Sequence, residues 1–319
     1  MEDKKITVIG GGTGLSTLLR GLKKYNDHIT AIVAVTDDGG SSGKLRKDLG
    51  ILPPGDIRNC LVALSREENL MKEVFQHRFS DGDLKGQCLG NLFIAGLAEL
   101  TGSFSEAISK TSEILAISGK VLPVTLEDLV LHAQLENNEV IAGESVIGEG
   151  VIKHKTSIKR MFLDKENVKP AEGVVDAILN SDVIILGPGS LYTSIIPNLL
   201  VEDVSKSLID TSAEIIYICN TVTQPGETTG YDVYNHVNAI EETVGQNIIS
   251  KCIVFDGEIP NHLLSLYQKN GASKVEINEE KLKNVDIYKL KKANIKIDAA
   301  WHDIDELSDK IREIVVEEI

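Results

Sequence analysis

Glycine-rich and acidic stretches carry the residue types that could handle a phosphorylated ligand. The first is Gly10–Gly14 (GGGTG), which follows the apolar run Ile6–Ile9 and opens a helical pattern. Unpaired amides at a helix start and the helix dipole favour an anion, and glycines let its oxygens approach the backbone. Gly11, Gly12, Thr13, Gly14 and Leu15 are therefore candidate ligand contacts, with the Thr13 hydroxyl as an added donor. An anion at a helix N-terminus gains only about 0.3–2 kcal/mol. Micromolar affinity requires roughly 8 kcal/mol, so this loop cannot be the whole site. Gly187–Ser194 (GPGSLYTS) and Asn220–Gly230 (NTVTQPGETTG) are two more polar loops, each following an apolar strand. Ligands of open α/β sheets lie beyond the carboxyl ends of strands, so all three loops should face one crevice.

The acidic candidates come next. Asp37 and Asp38 end the second apolar run. They could hold ribose hydroxyls, or a divalent metal such as magnesium against phosphates, or simply form a solvated turn. Asp56, in PPGDIRN, could cap the helix that follows or serve the site. Asn91 is equally open, as a helix N-cap or as a reader of a base or sugar. Other chemistries fit poorly. Leu15 breaks a dinucleotide GxGxxG pattern, and Asp38–Leu45 lacks the first Gly and the final Ser or Thr of a P-loop. The seven histidines are isolated and no GxSxG elbow is present. The four cysteines are far apart, which points to buried reduced thiols and not to zinc or disulfides.

The elements that must position these residues read as α/β. Ile6–Ile9, the glycine turn, a helix from about Leu15 to Lys24 and the strand Ile29–Val35 form a β-loop-α-β unit. Leu15, Leu18, Leu19 and Leu22 give that helix one apolar face. Thr36–Arg58 is a long polar connection, of the kind that is functional or disordered. Asn59–Ser118 is largely helical. Val121–Phe162 alternates and turns at Asn137-Asn138, which predicts a small antiparallel insertion. The parallel pattern returns with strands at Ala177–Leu186, Glu214–Cys219 and Cys252–Phe255. Beyond about residue 258 the chain reads as accessory, ending in an amphipathic helix over Asp303–Ile319. The expectation is one Rossmann-like three-layer αβα domain over residues 1–319, with a mainly parallel sheet and a β-rich insertion at about 121–162.

The chain has 319 residues and a formal net charge of −15. That field repels polyphosphate backbones, so nucleic acid is not an expected partner. No apolar run reaches membrane-spanning length and no signal peptide is visible, so a cytoplasmic protein without membrane insertion is expected.

GGGTGLSTLLRGLK, TDDGGSSGKLR, PPGDIRN, GQCLGN, GPGSLYTSIIPNL and CNTVTQPGET occur in this order from about Ile6 to Asp256. Together they resemble the gluconeogenesis-factor (YvcK) branch of the CofD-like family. The resemblance implies a cytoplasmic, Rossmann-like protein that binds UDP-sugars such as UDP-N-acetylglucosamine. It also implies a regulatory link to cell shape and envelope synthesis during gluconeogenic growth, with cell-envelope synthesis proteins as partners and homo-oligomers among the possible states. The related branch is a magnesium-dependent transferase that moves a phospholactyl group onto a deazaflavin precursor. Carried onto this chain, the resemblance puts Gly11, Gly12, Thr13 and Gly14 on the ligand phosphates. Asp37, Asp38 and Asp56 fall where the transferase branch does its chemistry, with Asp37 and Asp38 as candidate metal ligands. Gly189 and Ser190 fall opposite the phosphate loop, and Gly187 of the same loop is a further ligand candidate. Ser41 and Ser42, in the GGSSG of the regulatory branch, join Asn91, Asn198, Asn220 and Gln224 as further ligand candidates. Whether any reaction occurs is left open by these residues.

Overall fold

The computed structural model describes residues 1–66, 68–296 and 299–316. Its centre is a seven-stranded sheet built from β1 (Ile6–Gly10), β2 (Ile29–Val33), β3 (Lys120–Pro123), β7 (Val183–Leu186), β8 (Glu214–Ile218), β9 (Lys251–Phe255) and β10 (Asp286–Leu290). All its pairings are parallel, in the order β10-β9-β8-β7-β1-β2-β3. The inner strands are apolar at nearly every position because both faces are covered. Alternate residues go to opposite layers. Ile184 and Leu186 join one core, while Val183 and Ile185 join the other.

Helices Gly12–Leu22, Gly55–Leu64 and Ile304–Val316 cover one face; Val174–Leu179, Glu202–Asp210 and Val233–Val244 cover the other. This is the expected three-layer α/β architecture. Strand order reverses between β1 and β7, since the chain proceeds outward to β2 and β3 on one side and to β8, β9 and β10 on the other. Loops leaving β1 and β7 part there and open a crevice at the carboxyl end of the sheet.

Several boundaries differ from the sequence reading. The antiparallel sheet comprises β4 (Leu131–Leu135), β5 (Val140–Ala142) and β6 (Ile158–Leu163), in the order β5-β4-β6. Lys120–Pro123, expected within the insertion, instead pairs with β2 in the main sheet. The insertion also holds a helix, Glu144–His154, that alternation along β4 could not announce. Asn138, at φ 67°, makes the expected turn. The apolar stretch Ala177–Leu186 divides into a helix end and β7, because Asn180–Asp182 breaks it.

Thr36–Arg58 is not one long loop: Gly40–Leu49 is a helix, and the next begins at Gly55. The C-terminal stretch is not peripheral either. Asp286–Leu290 is an edge strand of the main sheet, and β11 (Ala293–Ile295) and β12 (Ala300–His302) form an antiparallel hairpin. The last helix buries Leu307, Ile311, Ile314 and Val315 in the core shared with Gly12–Leu22. The final three residues of the expected Asp303–Ile319 helix lie outside the described residues.

Candidate ligand-binding site

A cavity of about 460 Å³ opens where the loops after β1, β7 and β8 converge. Its wall includes Gly11, Gly12, Thr13 and Gly14 from the first loop, Gly189 and Ser190 from the second, and Asn220 and Gln224 from the third. The structure thus brings these eight expected residues into one place. The volume falls within the range of small-molecule sites.

The helix after β1 begins at Gly12, earlier than its apolar face suggested, with Gly11 as N-cap. Gly12 sits at φ +70°, a left-handed conformation that favours glycine. Gly14 is required for a different reason. A Cβ there would lie 2.6 Å from the Pro188 carbonyl oxygen, so its smallness lets the first two loops touch. The Gly12 amide is not free for a ligand, because it donates to Asp56 Oδ2 at 2.5 Å. Asp56 therefore caps a helix, but not its own: its own helix has Pro54 at the N-cap.

The second and third loops are joined by a polar relay. Asn220 Nδ2 donates to Gln224 Oε1 at 3.1 Å, and Gln224 Nε2 donates to Ser190 Oγ at 2.7 Å. Asn198 is off the cavity wall. It is fully buried, and its Nδ2 donates to the carbonyls of Gly10 and Ser194, fastening the end of β1 to the second loop. Gly187 is likewise absent from the wall, and the Leu15 side chain is in the core. Ser41 and Asn91 belong to a buried network. Ser41 Oγ donates to Gln87 Oε1 and accepts from Asn91 Nδ2, while Asn91 Oδ1 accepts from Arg58. Asn91 thus acts as neither N-cap nor cavity residue. Ser42 is buried against Gly55.

Carboxylates collect on the other side of the first two loops, outside the cavity wall. Glu144, from the insertion, is pushed up to about 8 by burial and then by the charges of Asp37, Asp38, Glu227 and Asp56. Burial pushes Asp56 up to about 6, partly offset by the Gly12 amide. Glu227 is pushed up to about 7, again mainly by burial, and accepts the amides of Tyr192 and Thr193 in the second loop. The first and second loops thus each have a carboxyl of the chain itself on part of their backbone.

Asp37 Oδ1 accepts from the Gly39 amide and Asp38 Oδ1 from the Ser145 amide. With Asp56 held by Gly12, each candidate metal carboxylate already serves a backbone donor. Among the described residues no group of three or more His, Cys, Asp or Glu is arranged to hold a metal ion.

The wall holds residues that sequence reasoning missed: Thr17, Tyr267, Asn294, Lys296, Trp301 and His302. All but Thr17 come from the stretch read as accessory. Trp301 is the single tryptophan of the chain, and that rarity was the one available signal. Burial pushes His302 down to about 4, and its Nε2 is 3.0 Å from the Cys219 carbonyl oxygen, so it is neutral at physiological pH. None of the wall residues among the described ones is Asp or Glu.

Residues 6–295 match the family described as 2-phospho-L-lactate transferase CofD. A relative from Thermoanaerobacterium thermosulfurigenes is 52% identical over 292 residues, covering 92% of this chain and 90% of that protein. The gluconeogenesis factor of Bacillus subtilis is 47% identical, covering 88% of each chain. A crystal structure of a Bacillus halodurans protein superposes with TM-score 0.93 at 43% identity, over 98% of this chain and all of that one. The matching motifs, the shared parallel-sheet fold and these similarities agree: the chain belongs to the CofD family, in its gluconeogenesis-factor branch.

Proposed function

We propose that this protein is a cytoplasmic regulatory protein that binds a nucleotide-diphosphate sugar, of the UDP-N-acetylglucosamine kind. On this reading it couples that ligand to cell shape and envelope synthesis during growth on gluconeogenic carbon sources. The observation that carries the reading is the contrast between the chain and its cavity. A protein of net charge −15 has a cavity whose wall, among the described residues, contains no carboxylate. That wall offers glycine-loop backbone, hydroxyls, an Asn–Gln–Ser relay and one lysine, which suits a diphosphate flanked by hydroxylated rings. No helix among the described residues is long and apolar enough to cross a membrane. The names of the relatives support the gluconeogenic setting.

Calorimetric titration with UDP-N-acetylglucosamine tests this. Binding is expected, and Thr13→Ala, at an exposed position on the wall, is expected to weaken it about tenfold through loss of one charge-assisted hydrogen bond. Absence of heat, or a Thr13→Ala protein indistinguishable from wild type, overturns the reading.

A second reading is favoured by the carboxylates behind the loops and by the description of the matched family. In it the protein is a magnesium-dependent transferase of a phospholactyl group to a deazaflavin precursor, with Asp37, Asp38 and Asp56 at the reacting phosphate. Incubation with nucleotide-activated phospholactate, acceptor and magnesium would then give product, abolished by Asp37→Asn. No turnover under those conditions removes it.

A further inference from the structure

We propose that Trp301 stacks against the planar base of the nucleotide, with Lys296 of the same hairpin meeting the diphosphate charge. The inference rests on the reading of the cavity as a nucleotide-sugar site and assigns which part of the wall takes which part of the ligand.

Among the described residues, three with aromatic side chains line the cavity: Tyr267, Trp301 and His302. Tyr267 is buried, and its hydroxyl accepts from the Ala300 amide at 2.6 Å. His302 is held on the Cys219 carbonyl oxygen. Trp301 alone of the three has a large free surface, at 47% exposure. Among the described residues it makes no ring–ring or cation–π contact. A large apolar ring left half in water beside a ligand cavity is surface that a planar ligand group would cover.

The backbone that carries the ring is also pre-positioned. Its neighbour Ala300 is tied on both backbone atoms, to Tyr267 by its amide and to the Thr221 hydroxyl by its carbonyl. His302, on its other side, is tied to the loop after β8. Trp301 pairs with Asn294 across the hairpin. Little ordering is left to the ligand, which favours tight contact. Lys296 follows β11 on the same wall and, beside a neutral His302, is its one side-chain cation among the described residues. Every base has a π-face, so the stack contributes affinity for a base without selecting which one. The sugar is left to the Asn220–Gln224–Ser190 corner.

Because Trp301 is the only tryptophan, its fluorescence reports this contact alone. Full-length protein is titrated with UDP-N-acetylglucosamine, UDP and N-acetylglucosamine 1-phosphate, by calorimetry and by tryptophan emission. The two uridine ligands are expected to quench emission at the concentrations at which heat saturates, and the sugar phosphate to bind without quenching. Trp301→Ala should weaken UDP at least about tenfold and leave the sugar phosphate within about twofold, while Trp301→Phe restores UDP to within about threefold. Lys296→Ala should weaken both. Circular dichroism checks that each variant folds, and the quench in wild type stands whatever the variants do. UDP binding by calorimetry with unchanged emission, and with undiminished affinity in Trp301→Ala, overturns the inference while the nucleotide-sugar reading survives. Heat from none of the three ligands overturns both.

Discussion

Asp56 shows how a single side chain can serve a purpose its local sequence does not reveal. Reading PPGDIRN alone, its carboxylate belonged either to its own helix or to a ligand. In the fold it caps the helix that starts at Gly12, 44 positions earlier. The same holds for Asn91 and Ser41, whose polar atoms satisfy one another and Arg58 across three helices. Residue type announced that these side chains needed partners; only the fold supplied which. Gly14 was legible as important, but one of its reasons was not: besides standing on the cavity wall, it makes room for the Pro188 carbonyl.

Asp56 also carries a pH signature. Its carboxyl sits near 6 in the fold against 3.8 in an unfolded chain. The native state therefore holds one proton more than the unfolded state between about pH 4 and 6, and stability falls as pH rises through that window. The cost at neutral pH is at most about 3 kcal/mol. Asp56→Asn keeps an oxygen for the Gly12 amide and removes the titration. Urea unfolding across pH 4–8 should show one proton less of slope below pH 6, and a variant at least as stable as wild type at pH 7.5. An unchanged slope would place the titration elsewhere.

At the scale of elements, the strands were the most legible part. Runs such as Ile29–Val33 and Glu214–Ile218 are apolar because parallel strands are covered on both faces. Helices in polar, glycine-rich sequence were not, because Gly40–Leu49 is held by what packs on it and has few apolar residues of its own. The insertion illustrates the same limit. Its strands alternate visibly, yet the helix Glu144–His154 and its docking on the Asp37–Asp38 turn depend on a contact between Asp38 and the Ser145 amide. That docking brings Glu144 among four other carboxylates.

A carboxyl raised to about 8 favours the fold while protonated. Its contribution is present at low pH and is lost as pH rises from near 4.5 toward 8. Glu144→Gln should therefore match wild type near pH 5 and exceed it in unfolding free energy at pH 8.5. Should the two proteins lose stability in parallel over that range, the insertion does not carry the strain.

For the whole molecule, charge and site pull in opposite directions. Net charge −15 surrounds a cavity that has no carboxylate among the described residues of its wall, so an anionic ligand meets repulsion at long range and favourable amides, hydroxyls and Lys296 only at contact. That contrast was half legible. The charge and the three loops were in the sequence, but the fourth wall comes from Asn294, Lys296 and residues 299–302, more than 70 positions beyond Asn220 and recognisable only once β10 carries the chain back across the sheet edge. The arrangement makes a kinetic prediction. Repulsion from the net charge is screened over about 10 Å at 0.1 M salt, whereas contacts inside the cavity lie within that length. Raising monovalent salt from 10 to 150 mM should then increase the association rate of UDP-N-acetylglucosamine, by roughly twofold or more, with a smaller change in dissociation. A neutral-field site would show no such rise, and a site whose approach is dominated by lysine and arginine would show a fall. Stopped-flow tryptophan emission follows both rates directly. An association rate that drops with salt would mean that a local positive field, and not the net charge, governs how the ligand reaches the glycine loop.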